Sequence, residues 1–255
     1  MEKSLYLITA AGGNGTAIKI IPAELSRDEY ARDGAEIGTR MESLGAEQSG
    51  FLVQSIKHFE MAGGEFCGNA SRAAAVLFSR LLGTQSVSFT VSGFSGTVNA
   101  EVETTGTNTY RVSVSFPGLP VDAREVTVLD TAQAYLVDLG GIVHVLIEGV
   151  FPAEVSEYKR QHRLIVEQLG LAERGAVGVI WYTRRDEIVR INPVVWVKTV
   201  DTFFYEQSCG SGSIAAAKIT GANIVRQPTE QDISVSIENN VVTLSSEMEV
   251  VHEQG

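Results

Sequence analysis

The nine residues Cys67-Gly68-Asn69-Ala70-Ser71-Arg72-Ala73-Ala74-Ala75 are echoed by Cys209-Gly210-Ser211-Gly212-Ser213-Ile214-Ala215-Ala216-Ala217, and each copy opens with one of the chain's two cysteines. Six of the nine positions are identical, and the copies begin 142 residues apart in a chain of 255. A duplication of this kind implies a fold of two similar halves, with one cysteine from each half brought to the same cleft. Two thiols facing one bound carbon are what stereochemical inversion without a cofactor requires. One removes a proton and the other returns it from the opposite face.

A cysteine just before a helix lies at the positive end of the helix dipole, a position expected to favour the thiolate and lower the thiol pKa. Behind it, Gly68, Asn69 and Ala70 in one copy and Gly210, Ser211 and Gly212 in the other present unpaired backbone N–H groups, a ready anion site. If the two helix starts converge, one carboxylate is held between them and its α-carbon lies between the sulfurs. An amino-acid α-hydrogen is weakly acidic, and a single base returns the proton to the face it left. Near pH 7 the productive pair is therefore one thiolate and one thiol with coupled ionisations. The clamped carboxylate takes up the developing negative charge. From the residues alone, inert burial and a reversible disulfide remain rival uses of two such thiols.

Composition narrows the classes. The formal charge of −11 argues against nucleic acid and anionic membranes. No apolar run reaches the roughly 20 residues of a membrane helix. Leu5 to Ala11 is a poor signal peptide and a good first strand. Two cysteines without a signal point to a reducing cytoplasm. A hydrophobic content of 44% is ample for a core. The length suits one large domain or two of about 125 residues.

Outward from the twin motif, the segments read as strands around helices. Leu5 to Ala10 and Thr16 to Ile21 flank a turn at Ala11-Gly12-Gly13-Asn14-Gly15. Ser26 to Leu44 reads as a helix with a capping box at Ser26 and Glu29. Helices 68–82 and 210–220 follow the cysteines and stop at Gly83 and Gly221, and Val155 to Leu169 stops at Gly170. Strands are expected over 50–56, 87–91, 97–102, 110–116, 135–139, 143–147, 177–182, 188–191, 194–200, 232–237 and 241–245. Phe116-Pro117-Gly118-Leu119-Pro120 is the clearest linker. The expected fold is α+β, two pseudo-symmetric halves, each a mostly antiparallel sheet wrapped around a central helix. Residues 1–118 carry Cys67 and 119–255 carry Cys209, with the last strand free to return to the first half.

At these residues the chain resembles the diaminopimelate-epimerase-like family of cofactor-independent racemases and epimerases with two catalytic cysteines. Within it the chain is more similar to the histidine racemases of opine-metallophore (staphylopine-type) biosynthesis. The matching strings are Glu47-Gln48-Ser49-Gly50-Phe51-Leu52, Gly64-Glu65-Phe66-Cys67-Gly68-Asn69-Ala70, Val91-Ser92-Gly93 and Glu206-Gln207-Ser208-Cys209-Gly210-Ser211-Gly212. Gly12-Gly13-Asn14 resembles the family's substrate-binding Asn loop. There are departures. The epimerases carry an adjacent Glu-Arg pair eight and nine residues before the second cysteine, where this chain has Asp201 and Val200. Their Gly-Asn-Pro-His string is matched only by Gly140-Gly141-Ile142-Val143-His144. Diaminopimelate is therefore not the expected substrate.

The resemblance implies interconversion of L- and D-histidine, or of a similar small amino acid, without pyridoxal phosphate or metal, the D-histidine feeding a metal-chelating opine. Cys67 and Cys209 are the expected acid–base pair. Asn14, Gly68, Asn69, Ala70, Gly210, Ser211 and Gly212 are expected to bind the α-carboxylate and nearby polar groups. Glu47 is the first candidate partner for an imidazole. Glu206 is the second, or a partner for the substrate ammonium, while Glu65 reads as structural. His58, His144, His162 and His252 share no metal-ligand spacing. His144 reads as a core residue, and His162 and His252 as solvent-facing. Phe203, Phe204, Tyr205, Trp181 and Trp196 read as sheet packing, with room for one to line a pocket. A homodimer is allowed. The alternatives are a proline- or diaminopimelate-type epimerase and a thiol redox or binding module.

Overall fold

A computed structural model describes residues 4–129, 132–185 and 188–255. The hairpin of β1 (Leu5–Ala10) and β2 (Gly13–Ile21) is followed by α1 (Arg27–Met41), β3 (Ala46–Val53) and β4 (His58–Met61). Then come α2 (Gly68–Leu82) and the meander β5 (Ser86–Val91), β6 (Phe94–Thr104) and β7 (Thr109–Pro117). The second run is β8 (Asp122–Val128), β9 (Ala132–Asp138), β10 (Val143–Glu148), α3 (Val155–Gln168), β11 (Ala176–Arg185), β12 (Ile188–Val197) and β13 (Thr202–Tyr205). It ends with α4 (Gly210–Thr220), β14 (Ile224–Arg226), β15 (Asp232–Glu238) and β16 (Val241–Gln254).

The ladders run β1-β2-β3-β4-β5-β6-β7-β16, and β16 pairs back onto β1, so these eight strands close into a barrel. From β16 the sheet continues through β15, β14, β12, β11, β10, β9 and β8, with β13 on β12. The pairing is mixed: β2–β3, β4–β5, β10–β11 and β12–β14 are parallel. Closure removes strand edges and leaves an interior wide enough for one small-sided helix. That helix is α2, whose residues 68–78 are all buried. Its Ala73-Ala74-Ala75 run keeps it thin. In the second run the sheet packs against α4, with Ala215, Ala216 and Ala217 buried.

Period-2 burial sorts the side chains onto two faces. One core encloses both α2 and α4 and includes Ile8, Ile18, Leu52, Phe116, Ile180 and Leu244. On the opposite face of β1 to β3, Leu7, Phe51 and Val53 meet Tyr30, Ile37 and Met41 of α1. On the opposite face of β9 to β12, Val145, Val179 and Trp181 meet Tyr158 and Ile165 of α3. Ser26 caps α1 as read, its Oγ accepting from the Glu29 N–H at 3.3 Å while the Glu29 carboxylate accepts from the Ser26 N–H at 2.8 Å.

Several readings are corrected. The first turn is Ala11-Gly12 alone, at φ 47° and 74°, and Gly13, Asn14 and Gly15 belong to β2. The two strands read either side of Asn192-Pro193 are one continuous β12, because Pro193 keeps a ladder position opposite Ile180 while its carbonyl accepts from the Glu206 N–H at 3.0 Å. The strands β4, β8, β13 and β14 carry too few alternating apolar residues to be seen in the sequence. His162 is 2% exposed rather than solvent-facing, bonded through Nε2 to the Val177 carbonyl at 3.0 Å and stacked edge-on to Phe203. No helix among the described residues is long and apolar enough to cross a membrane.

Candidate active site

Cys67 and Cys209 are the N-cap residues of α2 and α4, both in extended conformation. Each sulfur accepts from the N–H three residues on, Ala70 at 3.4 Å and Gly212 at 3.3 Å. These two N–H groups, expected to meet a substrate carboxylate, point at the thiols instead. The helix starts touch. A Cβ placed on Gly210 would lie 3.0 Å from the Gly68 carbonyl carbon and from the Asn69 nitrogen. Asn69 reaches across, donating through Nδ2 to the Ser208 carbonyl at 2.9 Å. Neither cysteine is in a disulfide; Cys67 is half-buried and Cys209 is buried.

Asn14 ties the other polar groups together. Its N–H donates to Glu47 Oε1 at 3.2 Å, and its Oδ1 accepts from Gln48 Nε2 at 2.5 Å. Gln48 Oε1 accepts from the Cys67 thiol at 3.4 Å, and the charge of Glu206 raises both thiols. Ser211, beside Cys209 at 3.7 Å, bonds His144 Nε2 at 2.9 Å. His144 is fully buried, its ring housed where a Cβ at Gly178 would fall 2.1 Å from Nδ1. Burial holds it neutral, its pKa pushed down to about 3. Gln48 was not singled out from sequence, though it stands next to Glu47 in a quoted string.

A cavity of about 270 Å³ opens beside these groups, between α1 and β3 on one side and β12 and β13 on the other. Gly34 and Gly38 of α1, Val195, Val197, Phe204 and the carboxyl groups of Glu47, Glu65 and Glu206 line it. Glu65, read as structural, thus belongs to the pocket wall, and Phe204 is the aromatic that lines it. Oε2 of Glu47 and Oε2 of Glu65 are buried with no partner among the described residues. Burial dominates the electrostatics. It pushes Glu47 up to about 7 against donors from the Asn14 and Gln207 backbone, Glu65 up to about 7, and Glu206 up to about 8.

The thiols are also raised. Burial, then the charge of Glu206, pushes Cys67 up to about 12 and Cys209 well above the ordinary thiol range. The helix-end expectation was the reverse. One N–H donor per sulfur and a helix dipole are outweighed by desolvation and a neighbouring carboxylate. Among the described residues no cluster of three or more His, Cys, Asp or Glu could hold a metal ion.

Residues 16–250 match the family described as the histidine racemase CntK N-terminal domain. A histidine racemase of Fusobacterium nucleatum subsp. nucleatum is 30% identical over 178 residues, 68% of this chain. The match spans 65% of that relative, less than two thirds of its length. Two solved structures share the fold at 13% identity. One is described as a predicted epimerase from Pseudomonas aeruginosa, with TM-score 0.64, covering 99% of this chain and 98% of that one. The other is a hydroxyproline epimerase from Agrobacterium vitis with bound trans-4-hydroxy-L-proline, with TM-score 0.61, covering 99% and 92%.

Proposed function

The chain belongs to the family of the histidine racemase CntK N-terminal domain, and on that footing we propose that it interconverts the L and D forms of a small amino acid, histidine first among them, with Cys67 and Cys209 as the acid–base pair. The observation that carries this reading is the junction of the helix starts. Two thiols cap two helices whose first residues touch, both lie within the field of Glu206, and Glu206 with Gln48, the acceptor of the Cys67 thiol, lines an acid-walled cavity whose wall holds neither cysteine.

The substrate carboxylate is held by N–H groups of Gly68, Asn69, Gly210 and Ser211. Ala70 and Gly212 act through the sulfurs they donate to. The ammonium meets Glu206 and Asn14, and the imidazole enters the cavity toward Glu47, with Gln48 and Glu65 beside it. One thiolate takes the α-proton and becomes a thiol. The opposite thiol gives its proton to the other face of the carbon and becomes the thiolate, so the proton count of the site is unchanged. Burial favours two neutral thiols, and the ammonium of the bound amino acid adds the positive charge that favours one thiolate.

Residues 1–118 and 119–255 are read as two lobes of one pseudo-symmetric plan, β16 crossing back into the first. The two free thiols suit a reducing cytoplasm, and a homodimer is to be read from the mass in solution. The test is chiral analysis of the 20 L-amino acids after incubation with reduced protein. A D-histidine signal supports the reading. Activity on lysine-like diamino acids or proline alone would replace histidine, and no D-amino acid at all would favour a thiol redox or binding role.

A further inference from the structure

The largest fully buried side chain is a cation. Arg72, on α2 five residues after Cys67, is 0% exposed. Its Nη2 donates to Asn69 Oδ1, the same Asn69 that reaches the carbonyl before Cys209. Its Nε and Nη1 are buried and donate to no group among the described residues. An uncompensated buried charge is costly and is neutralised or paired in most proteins. No carboxylate pairs with this one among the described residues. As thiolates, the sulfurs of Cys67 and Cys209 favour its charged form, and although burial lowers its pKa to about 10, Arg72 is cationic at neutral pH. The duplication makes the point sharper, because the matching position in the second copy is Ile214, also fully buried. The buried cation thus belongs to one copy of the motif only.

We propose that Arg72 is the fixed counter-charge of the thiol pair, a positioning residue that stabilises the thiolate on whichever of Cys67 and Cys209 has lost its proton. The inference rests on the acid–base reading of the two cysteines and deepens it. During inversion the negative charge passes from one sulfur to the other. A cation at the junction of the two helix starts, tied through Asn69 to the carbonyl before Cys209, keeps the two charge states closer in energy than a partner beside only one would. The other ionisable groups facing the thiols oppose it: Glu206 raises both, and Glu65 raises Cys67. Ser211 faces Cys209 and is bonded to the neutral His144.

The test measures thiol reactivity rather than turnover. Full-length reduced protein is alkylated with iodoacetamide between pH 7 and 9, and modification is assigned to each cysteine by mass spectrometry. In Arg72→Met the rate at pH 8 should fall at both cysteines by about three- to tenfold, the lower figure allowing for the greater nucleophilicity of a more basic thiolate. In Arg72→Lys, which keeps the charge, both rates should stay within about twofold of the parent. A side chain that only packs α2 gives the opposite sign, since loosening or unfolding exposes the thiols and speeds alkylation. Faster or unchanged alkylation in Arg72→Met, a fall at one cysteine alone, or faster alkylation in Arg72→Lys overturns the proposal. If both rates fall as expected but Cys67→Ala or Cys209→Ala still racemises at the parental rate, the counter-charge stands and the acid–base reading is what fails.

Discussion

At Glu47 one carboxyl oxygen accepts from the Asn14 N–H while the other is buried without a partner beside the cavity. On the proposed function, a substrate ring N–H is the donor it lacks. Its carboxyl, held up to about 7, is a full acceptor only above that pH. We therefore expect kcat/KM for histidine to rise as pH increases through about 7. In Glu47→Gln that limb should vanish and kcat/KM should fall about 10- to 100-fold, the worth of a hydrogen bond to a charged group. Steady-state rates between pH 6 and 9 check both points. An unchanged profile in Glu47→Gln would assign the limb to another group. Cys67, Cys209 and Glu47 were legible in the sequence because repetition and a specific string singled them out. The direction of the thiol shifts was not. A sequence reveals that a cysteine caps a helix but not how completely the folded chain buries it or that the charge of Glu206 bears on both thiols.

At the scale of elements, the two capped helices and their Gly83 and Gly221 stops were readable to the residue. Helix ends are written locally, in caps and glycines. The strands β4, β8, β13 and β14 were not, since each owes its form to a neighbour in the ladder. The contact between helix starts makes a prediction at this scale. A methyl group at Gly210 would lie 2.9 Å from Asn69 Oδ1 and 3.0 Å from two backbone atoms, none of which is free to swing away. Gly210→Ala should lose about 1–3 kcal/mol of stability in urea unfolding, the usual cost of overpacking. It should also lose racemisation at temperatures where it is fully folded. Parental activity in folded Gly210→Ala would mean that the junction does not position the thiols.

For the whole molecule, barrel closure was the least legible feature. The sequence suggested a last strand over 241–245, whereas β16 runs to Gln254 and pairs with β1, β7 and β15. Registers between strands more than a hundred residues apart are set by packing, not by local pattern. Buried acids give the molecule a pH signature. Glu47, Glu65 and Glu206 hold their protons more tightly when folded, at about 7, 7 and 8, than a solvated carboxyl does. Their contribution to stability is therefore complete below about pH 4.5 and is lost as pH rises through 7 to 8. Thermal unfolding should show Glu65→Gln more stable than the parent at pH 8, by roughly 1–3 kcal/mol, and level with it near pH 5. A gain that is equal at both pH values would contradict the linkage. The account as a whole is tested most directly by incubating L-histidine and, separately, D-histidine in heavy water with the parent, Cys67→Ala and Cys209→Ala. It predicts that the parent produces the opposite enantiomer carrying solvent deuterium, and that each single variant exchanges the α-proton of at most one enantiomer without inverting it. Inversion at the parental rate by either variant would contradict it.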